Sequence, residues 1–339
     1  MKSALLAILL ATTRSSAAPT PVESVATLTS VRSAAEVASV SRTIRRGLED
    51  PVQAPAWRAA LLNALQGEAK PEIARRIGLL LAWRPDEAAL AAILERIESA
   101  ADRPLQEALA DSLTLAAGRL PAEQKAVAAQ RFGPRLLKLA SAPTPAAEGA
   151  VRGLGRLGAP GCPLLLELAR QQAVRARHPE ALLIALGETG CADAVPVLVR
   201  MTEEASSAGR RVAGLMAVSG LLRAIRQDGG ALSADTERQA WSCLRRDLRL
   251  DADPELLAAS IRACATASDV DEDAELAAVA LESLGHASAQ VRSAAATALF
   301  DSALASRPDV KELVRALADH ETDATVRVLA RDVLAGAEH

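Results

Sequence analysis

The segment from Ala150 to Cys162, AVRGLGRLGAPGC, returns 29 residues later, from Pro179 to Cys191, as PEALLIALGETGC. The shared frame is Leu-Gly-x-x-Gly-Cys, and weaker echoes run along most of the chain. A repeat of this length is one supersecondary unit. Such a unit cannot bury its own apolar face and must stack against copies of itself. The repeat therefore points to a layered array and away from a single thick core.

Composition agrees. Of 339 residues, 50% are hydrophobic and only 1% aromatic, with no Tyr, two Phe and three Trp. A sheet sandwich uses more aromatic and β-branched residues. Ala and Leu dominate here, and both favour helix. From about Val31 onward apolar residues recur at three- and four-residue spacing, with breaks at Pro, Gly and Asp. Pro71-Glu72, Pro179-Glu180 and Pro254-Glu255 each place Pro at a first helical position and a carboxylate in the first turn.

The last third aligns with itself at a spacing of 35, as Asp253 to Cys264, Ser288 to Leu299 and Asp323 to Leu334. The unit reads D/S-x-x-V-R-x-x-A-x-x-A-L. It resembles the HEAT and HEAT-like repeat families, over most of residues 50–336 and best from about Ala146 onward. The resemblance implies an all-α, armadillo-type α-solenoid superhelix of about eight antiparallel helix pairs. It also implies that the V-R helix is the inner one, lining a concave surface, and that Pro163 and Pro196 sit near the starts of outer helices. Inner helices are expected to start near Pro71, Pro104, Ala146, Pro179, Arg210, Pro254, Ala289 and Ala324.

The N-terminus reads as a secretory signal peptide over residues 1–17. Lys2 gives a positive start, Ala4 to Ala11 an apolar run, and Ser15-Ser16-Ala17 a small-residue cleavage site. The other reading is an apolar first helix. Residues 18–30, rich in Pro, Thr and Ser, are expected to form a flexible tether, with repeats over 31–336. The expected location is the periplasm or the exterior. No later segment has the ~18 uninterrupted apolar residues of a membrane span. The formal net charge of −3 does not favour nucleic acid.

Four cysteines, Cys162, Cys191, Cys243 and Cys264, are candidates for disulfides in an exported chain; the other reading is four small buried side chains. Cys162 and Cys191 occupy equivalent turns, and Cys243 and Cys264 face each other across a hairpin. No C-x-x-C occurs, so a zinc site is not expected. His178, His286, His320 and His339 are sparse. The deoxyhypusine hydroxylases, a HEAT-like family, hold two irons through several His-Glu dipeptides. Only His320-Glu321 matches that pattern here, so no metal and no cofactor are expected. Gly-x-Ser-x-Gly is absent, and no nucleophile–base set stands out. Gly158, Gly187, Gly161 and Gly190 are expected to cap inner helices.

Arginines are the best functional candidates. Arg152, Arg292 and Arg327 hold the V-R position, and Arg156, Arg211 and Arg262 lie on the same helices. Two readings stay open. They brace the stack by pairing with carboxylates in neighbouring turns, as the resemblance implies, or they grip carboxylates of a partner. Trp57, Trp83 and Trp241 are packing residues or exposed anchors. The function expected is a non-enzymatic scaffold binding a protein or peptide along its concave face. The alternatives are an enzyme resembling the bilin lyases of phycobilisomes, whose repeats are of the V-R-x-x-A type, and an envelope assembly factor.

Overall fold

The computed structural model describes residues 19–68, 70–268, 270–299 and 302–336. The signal segment, Asp269 and His339 lie outside them. Among the described residues the regular structure is nineteen α-helices and three 3-10 turns, with no strand. The helices divide into two compact units, Met1–Arg119 and Leu120–His339, where the sequence suggests one uninterrupted array.

The first unit holds α1 (Pro21–Ser30), α2 (Ala34–Glu49), α3 (Ala54–Gly67), α4 (Pro71–Leu81), α5 (Glu87–Ser99) and α6 (Arg103–Arg119). Helices α2, α4 and α6 pack in one row and α1, α3 and α5 in the other. Leu28, Ile44, Leu61, Ile77, Ile93 and Leu109 are fully buried between the rows. The α1 helix corrects the expected tether. Thr20 and Glu23 form a reciprocal capping box, and Val25 and Leu28 are buried. A Thr-x-x-Glu start with apolar residues three apart outweighs the Pro and Ser content.

The second unit holds α7 (Ala122–Ser141), α8 (Ala147–Arg156), α9 (Cys162–Arg170), α10 (Gln172–Arg177), α11 (Pro179–Gly187), α12 (Val195–Glu203), α13 (Ala208–Gln227), α14 (Ala234–Arg245), α15 (Pro254–Ala267), α16 (Ala274–Ser283), α17 (Ala289–Leu299), α18 (Pro308–His320) and α19 (Ala324–Gly336). Helices α8, α11, α13, α15, α17 and α19 pack consecutively. These are the V-R helices, and each closes a hairpin with the helix before it in the other row. The HEAT-like α-solenoid fold follows from this two-row stacking. The short α10 helix is an insertion that the repeat pattern does not announce.

Alanine explains how tightly the V-R row stacks. Ala150, Ala185, Ala258, Ala259, Ala263, Ala294, Ala295 and Ala296 have no exposed surface. Two glycines tighten it further. A Cβ on Gly155 would stand 2.6 Å from the Ala185 backbone, and one on Gly187 would stand 2.9 Å from the Ala217 backbone. Two of the four expected cap glycines have left-handed backbones, Gly158 with φ 74° and Gly190 with φ 67°. The other two are corrected. Gly187 is the last residue of α11, where it admits the neighbouring helix, and a side chain on Gly161 would run into the Leu154 carbonyl. Their need is for space, which a Leu-Gly pair at a helix end does not distinguish from a cap.

Two measurements probe this packing. Gly187→Ala should lower unfolding free energy by about 1–3 kcal/mol in urea, although Ala is the better helix former; an unchanged midpoint would mean the two helices are not held apart by that methyl. A second site links the same repeats. Cys162 and Cys191 form a disulfide with Cα atoms 6.3 Å apart. Replacing both with Ser should cost about 3 kcal/mol through the larger entropy of the unfolded chain. Equal stability of the Ser variant and the oxidised protein would contradict this.

Candidate functional site

Among the six candidate arginines, Arg156, Arg211 and Arg292 are held by carboxylates about one unit further along. Arg292, near the start of α17, meets Glu321 in the turn before α19. Its Nε donates to one carboxylate oxygen at 2.6 Å and an Nη to the other at 2.7 Å. The remaining Nη donates to the carbonyls of His286 and Ala287 at 2.7 and 2.8 Å. The pair is dry, with side chains 14% and 3% exposed. Arg327 donates to the Glu321 backbone carbonyl at 2.6 Å, and the Asp323 amide donates to the Glu321 carboxylate at 2.9 Å. Arg292 first, and then the Asp323 amide, hold the Glu321 carboxyl at about 2, well below the usual carboxylate range.

The His320-Glu321 dipeptide that suggests an iron ligand in sequence is thus a structural turn, with both carboxylate oxygens taken. Among the described residues no group of three or more His, Cys, Asp or Glu could hold a metal ion. His286 Nδ1 accepts the Ser288 amide at 3.0 Å. Burial pushes the Cys243 thiol up to about 11 and the Cys264 thiol up to about 12. Both are reduced and buried, so this second candidate bridge is not formed, and neither sulfur is a thiolate at neutral pH.

The other candidates divide by partner. Arg211 reaches Asp247 at 2.8 Å in the turn after α14, and Arg156 reaches Glu188 at 2.9 Å in the turn after α11. Arg152 pairs with Glu148 one turn back on its own helix at 2.6 Å, with both side chains nearly half exposed. Arg262 differs from all of these. It is half-buried on α15, and no hydrogen-bond or ion-pair partner occurs for its guanidinium among the described residues. Burial alone pushes its guanidinium below its ordinary value.

The tryptophans resolve as packing residues. Trp57 is buried against Gly47. Trp83 lies under Arg45, 4.4 Å from the ring centre, and under Arg119 at 5.2 Å. Trp241 lies under Arg226 at 5.5 Å and Arg245 at 5.1 Å. Beside Trp241 is a charged cleft that includes Glu272, Asp273 and Glu275. Arg245 already binds Asp273 at 2.6 Å and Glu275 at 3.3 Å there. Another cleft, lined by Arg175, Pro179, Leu183, Met201 and Arg210, is also partly self-paired, through Arg175 to Glu204 at 3.4 Å. Lys125, which the sequence pattern does not mark, sits close enough to Arg156 to be pushed down by burial and by that charge.

No described helix is long and apolar enough to cross a membrane. The chain matches no protein-family model, and no curated protein matches it. Solved structures do resemble it. An archaeal HEAT-like repeats protein from Thermococcus onnurineus NA1 has a TM-score of 0.39 at 13% identity, over 83% of this chain and 97% of that one. Kap121p, in a structure bound to Nup53p, has a TM-score of 0.49 at 14% identity, over 99% of this chain but 37% of its own. An engineered protein has a TM-score of 0.41 at 18% identity, over 94% of this chain and 89% of that one.

The Arg292–Glu321 pair gives a signed pH dependence. The Glu321 carboxyl titrates lower folded than unfolded, so its contribution is fully present above about pH 4.5 and is lost as pH falls toward about 2. Glu321→Ala should cost about 3–5 kcal/mol at neutral pH by stranding a buried guanidinium. Its stability should also fall less steeply than wild type below pH 4.5. Parallel acid-unfolding curves would contradict the assignment.

Proposed function

We propose that this chain is a non-enzymatic, exported scaffold that binds a protein or peptide segment along the face of its V-R helix row. One observation carries the reading. Three helices of that row present exposed apolar side chains, Ile184 on α11, Met216 on α13 and Val328 on α19, each between 39% and 55% exposed. The same row carries the guanidinium groups of Arg152, Arg156, Arg211, Arg262, Arg292 and Arg327. An extended line of anchors suits an extended partner better than a small molecule, whose pocket is concave and closed.

Export is supported by the signal-like residues 1–17 and by the Cys162–Cys191 bond, since disulfides persist in oxidising compartments. Mature protein recovered from its native host should begin near Ala18. The scaffold reading predicts that the chain, used as bait on solubilised native envelope, retains one protein in stoichiometric amount. Turnover of a substrate by the pure protein, abolished by a single substitution, would sink it.

A further inference from the structure

The charge on the V-R row is lopsided. Helix α13 carries Arg210, Arg211, Arg223 and Arg226 and no carboxylate. Helix α17 carries Arg292 and no carboxylate, and α15 carries Arg262 with Glu255 alone. The balancing acids lie in turns and on the other row, and they do not reach every cation. Arg211, Arg226 and Arg292 have Asp247, Glu237 and Glu321. Arg210 has only the Ser206 hydroxyl, at 3.3 Å. The guanidinium groups of Arg223 and Arg262 have neither a carboxylate nor any other hydrogen-bond partner among the described residues.

Arg262 is the telling case. A half-buried guanidinium has lost part of its hydration, and an intramolecular partner normally compensates for that. Here none does. The packed neighbour α13 has open space at Gly220, where a Cβ would meet nothing within 4 Å. Thr297 of α17, the position equivalent to Arg262 at the repeat spacing of 35, is small and exposed. Met216 is an exposed apolar side chain on α13.

We infer that the V-R face of α13, α15 and α17 docks a carboxylate-rich segment of a protein partner, with Arg262 as the central contact and Arg223 beside it. A partner carboxylate would restore to Arg262 the charge-assisted hydrogen bonds that no described residue supplies. The inference rests on the scaffold reading and adds the chemistry of the partner.

The probe is fluorescein-labelled octaglutamate, with labelled octalysine as its opposite, measured by anisotropy against the full chain at low ionic strength. Octaglutamate should bind and octalysine should not, and salt should weaken the complex. Arg262→Glu should lower the octaglutamate affinity by about tenfold or more. Arg315→Glu, which reverses an exposed arginine on α18 with no ion-pair partner among the described residues, should not. Arg262→Gln should weaken binding while unfolding no earlier than wild type, which separates a binding group from a brace such as Arg292. Equal losses in the Arg262 and Arg315 variants, equal binding of both peptides, or no saturable binding overturns the assignment. The scaffold reading fails separately. An envelope protein retained equally by wild type and Arg262→Glu keeps that reading and removes Arg262 from it, whereas no retained protein removes both.

Discussion

The close approach of neighbouring V-R helices is the contact on which the second unit depends. A helix hairpin leaves an apolar stripe on each side, and only another hairpin can cover it. Covering it with large side chains would separate the helices and loosen the turns. Here Ala fills most contact positions, and Gly155 and Gly187 remove even the methyl where one backbone meets the next. The near-absence of aromatic residues follows from the same geometry, because a thin layer between close helices has no room for rings. The tryptophans instead fill a glycine-lined gap, at Trp57, or lie beneath arginines, at Trp83 and Trp241.

That spacing governs the charges. Side chains near the start of a V-R helix lie beside the turn of the next unit, so a guanidinium there meets a carboxylate about one repeat onward. Arg292 with Glu321 and Arg211 with Asp247 share this logic, whereas Arg156, the last residue of α8, meets Glu188 where α11 ends. Only the first is dry on both sides. The exposed pairs, such as Arg152 with Glu148, contribute little to stability, because water and salt screen them.

Much of this was legible in the residues. Pro71, Pro179 and Pro254 mark helix starts, because Pro and a following carboxylate suit a first turn, and the repeat spacing carries the mark on to Ala289 and Ala324. The V-R motif identifies the row that stacks. Three things were hidden. The α1 helix is masked by its Pro and Ser content, although its capping box was readable at Thr20 and Glu23. Glu321 is one acid among many, and its role appears only when Arg292 is carried forward by one repeat. The contrast between paired Arg292 and unpaired Arg262 has no local signature, since both follow an apolar residue on a V-R-row helix. It depends on whether a turn elsewhere offers an acid at the right height.

The disulfide has a consequence for how the stack comes apart. In a linear array each unit is held only by its neighbours, so fraying can enter from either end and advance one hairpin at a time. Cys162 and Cys191 tie equivalent turns of two adjacent units, so these can no longer open independently. Opening that begins at α19 must there disengage two hairpins together. The array thus has a built-in stop, and the repeats bearing Leu-Gly-x-x-Gly-Cys become the segment that outlasts the rest under heat or protease.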